Sequence, residues 1–297
     1  MKRRAPGATW GRAALAAALA GLTLAAASCA GEPAAESPAP TEQSTPSAAA
    51  APAVFTNLVT DADRAELRTA MAAAGLTGID DYLTAVKAFN APQPASAHLA
   101  ATPTPLADRK VDRDKLNDRF LKGYPYKQDL NCRLAAFTLL GGSITAASPP
   151  QEAGNFLMFD VDALETDPGL AALQARQAGF VGVFNEVSVK DVPADELAQT
   201  FLAADAERGL EFGSPSAELI RIVLNDPMEH TLFVGHTGVA LPQEDGFWFI
   251  EKLAPFEPFQ LTKYGAMDQL VAEMNRRYTT NDGAAAPIIL RNRDLVS

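Results

Sequence analysis

The C-terminal third of the chain carries the pattern that most narrows the fold. Leu219–Leu224, Thr231–Leu241 and Phe247–Lys252 are apolar, β-branched and aromatic runs bounded by turn residues, and they read as strands. Pro242-Gln-Glu-Asp-Gly246 separates the last two, and so short a break joins antiparallel neighbours. Met267, Leu270, Val271, Met274 and Tyr278 then recur at helical spacing, and Pro287–Leu290 reads as a closing strand.

Helix signals dominate the earlier part. Thr60, followed by Asp61 and Asp63, caps a helix that stops at Gly75. A second begins near Asp80 with Ile79, Tyr82, Leu83, Val86 and Phe89 on one stripe. Residues 91–107 carry four prolines and read as a loop, and a third helix is expected around Arg113–Lys122. Cys132–Leu140 forms a buried helix stopped by Gly141-Gly142. Phe156–Phe159 and Phe180–Val189 read as short strands, and Pro193–Glu207 as a helix with proline in its first turn. Helices first and strands later predict an α+β domain with N-terminal helices packed on an antiparallel sheet.

The domain's start is set by composition. Residues 30–53 contain nine Ala and five Pro with no Val, Ile, Leu or aromatic residue, so they cannot bury a core and read as a tether. Residues 54–297 are then one domain. Ahead of the tether, Lys2, Arg3, Arg4 and Arg12 precede the apolar stretch Ala13–Ala27, the pattern of a secretory signal peptide. The stretch falls short of the about 20 apolar residues of a transmembrane helix. Ala26-Ala27-Ser28-Cys29 resembles a bacterial lipobox, which implies cleavage after residue 28 and lipidation of Cys29, against the plainer reading of a secretion signal with an incidental cysteine.

The remaining composition excludes several classes. At 47% hydrophobic and 21% charged residues with two cysteines, the chain is neither a disulfide-stapled module nor a disordered or polytopic membrane protein. The formal charge is −11, and removing residues 1–28 takes away four basic and no acidic residues, leaving −15. No basic stripe remains for a nucleic acid, and electrostatics would not hold the chain to an anionic membrane, so a lipid anchor through Cys29 is the expected attachment to the extracytoplasmic face. Acylation of Cys29 would leave Cys132 as the single free thiol. No metal spacing, calcium loop or phosphate loop is present, and no cofactor is implied.

Cys132 opens its helix behind the cap candidates Asp129 and Asn131, and a helix N-terminus lowers a thiol pKa. A nucleophilic cysteine needs a base. Of His98, His230 and His236, the first lies in the proline-rich loop and the second between strands, while His236 stands on the first arm of the hairpin. Pairing Leu241 with Gly246 through a four-residue loop puts His236 opposite Glu251, where a carboxylate would fix the imidazole tautomer. A five-residue loop would turn Glu251 to the other face, and Asp245, Glu257 or Gln260 are alternatives for this third role. Gln128 and Asn131 are candidate oxyanion donors beside the Cys132 backbone N–H. The plainer readings are a buried inert thiol, a satisfied strand histidine and a solvated strand-end carboxylate. Phe247, Trp248 and Phe249 are expected to be packing residues.

Cysteine on a helix, histidine on a strand and a polar residue on the next strand resembles the papain-like fold of NlpC-type cell-wall peptidases. That resemblance spans Asp129–Lys252 and implies a Cys132, His236 and Glu251 constellation in a thiol peptidase, amidase or acyltransferase, with cell-wall peptide as substrate. Those enzymes usually carry Asp-Cys-Ser-Gly at the nucleophile, whereas this chain has Asn131-Cys-Arg-Leu134. A non-catalytic surface binding module on the same fold is the alternative. A second resemblance rests on Phe55-Thr-Asn-Leu58, Asp129-Leu-Asn-Cys-Arg133, Leu157-Met-Phe-Asp160, His236-Thr-Gly-Val239, Glu251-Lys252, Glu257-Pro-Phe-Gln260 and Pro287-Ile-Ile. These runs are similar to a family of Gram-positive lipoproteins, domain of unknown function 4300, which implies relatives but no activity.

Overall fold

A 13-residue strand, Thr231–Gln243, runs through the middle of the molecule, and the other elements are arranged about it. The computed structural model describes residues 50–91, 93–110, 112–116, 130–279 and 285–296. Cys29, the expected signal stretch, most of the expected tether, Asp129 and Gln128 lie outside the described residues. So does the expected third helix beyond residue 116, of which 113–116 are helical.

In chain order the described elements are β1 (Val54–Thr56), α1 (Asp61–Ala73), α2 (Ile79–Asn90), β2 (Thr104–Pro105), α3 (Cys132–Leu140), β3 (Ile144–Ala146), α4 (Met158–Thr166), α5 (Ala171–Gln174) and α6 (Gln177–Phe184). Then come β4 (Val187–Ser188), α7 (Leu197–Glu207), β5 (Leu210–Phe212), β6 (Glu218–Asp226), β7 (Thr231–Gln243), β8 (Gly246–Lys252), β9 (Phe259–Tyr264), α8 (Met267–Tyr278), β10 (Ile288–Arg291) and β11 (Asp294–Leu295). The main sheet is antiparallel in the order β11-β10-β6-β7-β8-β9-β1-β2, with β4 also paired to β7, and β3 and β5 form a separate pair. This is the expected α+β class.

Both faces of the sheet are covered, and the alternation along the strands says by what. Leu219, Val223, Val239, Leu241, Ile250 and Leu261 share a core with the helices α1, α2, α3, α6 and α7. The intervening Ile220, Ile222, Ala240, Phe247 and Phe249 face Leu270 and Met274 of α8. The α3 helix is buried on nearly every side: of its residues only Arg133 is not fully buried. Such a helix has no polar face, so it is held by its surroundings rather than by amphipathic patterning.

Three expectations are corrected. Phe156–Phe159 is a 3₁₀ turn leading into α4, and Phe180–Phe184, the first half of Phe180–Val189, belongs to α6, with only Val187–Ser188 in a strand. Phe180, Val181, Val183 and Phe184 are all buried, and a run buried on every side shows neither the helical nor the strand period. The β7–β8 connection is also tighter than expected: Gln243 pairs with Gly246 across the two residues Glu244 and Asp245. Glu251 therefore faces Gly238 rather than His236. The slip is two residues, and side chains alternate with period two, so Glu251 keeps the expected face.

Candidate active site

Asn131 caps α3, its side-chain oxygen accepting from the Leu134 N–H at 2.9 Å. Cys132 is thus the first helical residue, at the positive end of the helix macrodipole. The start of the helix is braced from outside. Asn131 Nδ2 donates to Asp160 at 2.6 Å, and Arg133 reaches the same carboxylate at 2.6 and 3.2 Å. Arg133 also donates to the carbonyls of Val234 at 2.8 Å and Phe156 at 3.0 Å. One guanidinium therefore ties the cysteine's helix to β7 two residues before His236.

His236 owes its direction to a β-bulge. Val223 pairs with Val234 and Ile222 with His236, leaving Gly235 as the extra residue. Strict alternation would put Val234 and His236 on one face; instead Val234 joins the core beneath α3 while His236 meets residues of the α8 side. Pairing of β7 with β8 begins at Gly238, so β8 does not cover the edge of β7 at His236. There the imidazole lies close enough to the Cys132 thiol to lower its pKa, and on the other side it bonds Glu251, with Nε2 to Oε2 at 2.7 Å. With Nε2 committed to Glu251, Nδ1 is the ring nitrogen left for the sulfur. The ring of Tyr278 stacks on His236 at 5.6 Å between centroids.

Glu251 is 1% exposed, far from the solvated strand-end carboxylate of the plainer reading. Arg277 of α8 clamps it in a two-pronged pair at 2.7 and 3.0 Å, and Gln260 donates to Oε1 at 3.1 Å. Gln260, an alternative for the third role, thus supports Glu251 instead of replacing it. Arg277 is held in turn by Glu273 at 2.6 Å.

The electrostatics follow from these contacts. For Cys132, burial pushes the thiol pKa up, but the hydrogen bond and charge of His236, aided by Arg133, outweigh it and bring the thiol below its ordinary range. For His236, burial works against the cation, yet the bonds to Cys132 and Glu251 raise its pKa to about 9. Glu251 loses solvation too, and the Arg277 charge and the His236 bond nevertheless hold it far below the usual carboxylate range. These directions favour the thiolate and the imidazolium over the neutral pair and keep the Glu251 carboxylate ionised. The cysteine N–H, at the first helical position, has no intrahelical acceptor and is available to an oxyanion.

The other candidates lie elsewhere or serve the scaffold. His98 ends a 3₁₀ turn and His230 sits in the exposed β6–β7 turn, each with positive φ. Glu257 pairs with Arg113. Phe247 and Phe249 pack against α8, and Trp248 lies under the Lys263 ammonium. Among the described residues no cluster of His, Cys, Asp and Glu is arranged to hold a metal, and no helix is long and apolar enough to cross a membrane.

Residues 54–296 match a family described as a domain of unknown function (DUF4300). The chain belongs to the DUF4300 family. The match encloses every part of the site, from the strand carrying Phe55 to the helix carrying Arg277. No curated protein and no solved structure matches the chain. Sequence reasoning named Cys132, His236 and Glu251, which the structure brings together, but did not name the Arg277 clamp or the Arg133–Asp160 brace of this DUF4300 domain. Arg277 lies 26 residues from Glu251, and its only local signal is an i,i+4 pair with Glu273.

Proposed function

We propose that the protein is a lipid-anchored, extracytoplasmic thiol hydrolase or acyltransferase of papain-like organisation, acting on amide or ester bonds, with cell-wall peptide as the substrate class. The observation that carries this reading is the buried His236–Glu251 bond beside the Cys132 thiol, whose pKa the imidazole lowers. An inert core thiol needs no histidine, and a histidine present only for packing needs no carboxylate fixed by an arginine. Location on the cell surface rests on the lipobox-like Ala26-Ala27-Ser28-Cys29.

In the proposed reaction the Cys132 thiolate attacks the substrate carbonyl carbon, forming an S–C bond and an oxyanion that accepts from the Cys132 N–H. The oxyanion collapses as the C–N or C–O bond breaks, and the His236 imidazolium gives its proton to the departing nitrogen or oxygen. Water, or an acceptor amine, then attacks the thioester while neutral His236 takes its proton. The acyl group leaves and the thiolate–imidazolium pair is restored. Glu251 keeps its charge throughout, holding the tautomer and favouring the imidazolium.

The test is mass spectrometry of the intact protein and its products after incubation with cell-wall peptide fragments. Release of cleaved or transferred peptide, with an acyl adduct on Cys132 and neither in Cys132→Ala, is expected. Specific peptide binding without adduct or turnover would instead establish the surface binding module.

A further inference from the structure

Against the relay lies a cavity of about 570 Å³, within the range of small-molecule sites. Gly235, the residue before His236, lines it, together with Tyr278, whose ring stacks on His236, and Arg277, which clamps Glu251. Arg109, Arg113 and Arg276 complete a guanidinium rim, with Glu257 among them and Leu253 and Ala254 as an apolar wall. Four guanidiniums here share three carboxylates: Arg113 pairs with Glu257, Arg277 with Glu251, and Arg109, Arg276 and Arg277 with Glu273. The surplus is positive in a chain whose formal charge is −11. Among the described residues no acceptor reaches the buried Arg109 Nη1, a donor of the kind folded proteins normally satisfy. Burial and the neighbouring Arg277 charge both weigh against the Arg109 cation, and an anion in the cavity would offset them.

We infer that this cavity is a subsite for a free carboxylate on the substrate, so that the enzyme acts on acidic acyl compounds and peptides bearing a carboxylate near the scissile bond. The assignment rests on the hydrolase reading above. A planar guanidinium matches a carboxylate in two parallel hydrogen bonds, and several such groups around one cavity select an acid over its neutral amide.

Two measurements separate this inference from the reading beneath it. The first is calorimetric binding of N-acetylalanine against N-acetylalaninamide to the folded protein. The acid is expected to bind about tenfold more tightly, as for charge-assisted hydrogen bonds, with the preference shrinking to within about twofold in Arg109→Gln. Arg109 is largely enclosed, so the more exposed pair Arg113→Gln and Arg276→Gln serves as a second variant that spares the fold; it is expected to shrink the preference in the same direction. The second is the ratio of Cys132 alkylation rates by iodoacetate and iodoacetamide, which differ in charge but attack the same thiolate. The imidazolium alone favours the anion, so the arginines' share is the fall in ratio between wild type and variants. Equal binding of acid and amide, or a ratio unchanged in both variants, overturns the subsite. A clear acid preference with Cys132 inert to both reagents overturns the hydrolase reading, and the substrate assignment with it.

Discussion

Glu251 stands at the end of its strand, where a carboxylate is ordinarily solvated, yet two partners make its charge indispensable. Glu251→Gln keeps the shape and a hydrogen bond but leaves the Arg277 guanidinium, 9% exposed, with Glu273 alone. Breaking a buried pair in this way costs about 3 kcal/mol, to be read by urea unfolding, and adding Arg277→Gln should recover part of it. The same variant should move Cys132 ionisation to higher pH. His236 adds a pH signature of its own. Its folded pKa of about 9 exceeds the ordinary 6.5, so its contribution is fully present below about 6.5 and fades as pH rises through about 9. Glu251 acts with the opposite sign, its contribution being present above 4.5 and fading as pH falls below that value. The lowered Cys132 pKa acts with the opposite sign to that of His236 over the same window. The wild-type melting temperature should therefore change little from pH 6.5 to 9, while Cys132→Ser, which removes the opposing thiolate, should make it fall. Cysteine, histidine and carboxylate were legible in the sequence because chemistry restricts those roles to few residue types. Arg277 was not, because no local rule links a helix end to a strand end that only tertiary packing brings together.

The central elements carry the geometry through two glycines on β7. Gly235 forms the bulge that separates the faces of Val234 and His236, and Gly238 lies directly opposite Glu251. A Cβ at position 238 would come within 2.5 Å of the Phe249 ring and 2.6 Å of the Ile250 carbonyl, so β7 and β8 would have to part. Gly238→Ala is expected to lower stability by about 1–3 kcal/mol, as for other overpacked sites. It should also weaken the His236–Glu251 bond, raising the pH at which Cys132 alkylates; denaturant titration and alkylation rates check the two effects. The hairpin shows why the site was partly readable. Turn length was misjudged by two residues, but an even slip preserves the face, so the right pair of side chains emerged from the wrong register. The bulge left no clear sign, since a glycine beside a strand histidine has many uses. The α6 segment was misread because its apolar residues are buried all round, and β9 passed unnoticed because Gln260, Thr262 and Lys263 interrupt its apolar pattern.

At the scale of the whole molecule, the order of helices before strands was enough to give the α+β class. It did not reveal that α8 covers the sheet face opposite α3 and brings Arg277 and Tyr278 to the site. On the proposed anchoring, the Ala/Pro-rich segment ahead of Val54 holds the domain away from the membrane. Cys29→Ser should then shift the protein from the membrane fraction to the soluble fraction, with the domain's melting temperature unchanged; retention in the membrane fraction would show another attachment. The account as a whole stands on an activated thiol. Its most direct measurement is the rate of iodoacetamide labelling at Cys132 as a function of pH, assigned by peptide mass spectrometry, in wild type and His236→Ala. The account predicts rapid labelling of the wild type already at pH 6, and labelling of His236→Ala only at alkaline pH where an ordinary thiol ionises. Identical alkaline profiles for the two proteins would contradict it and leave Cys132 a buried core residue.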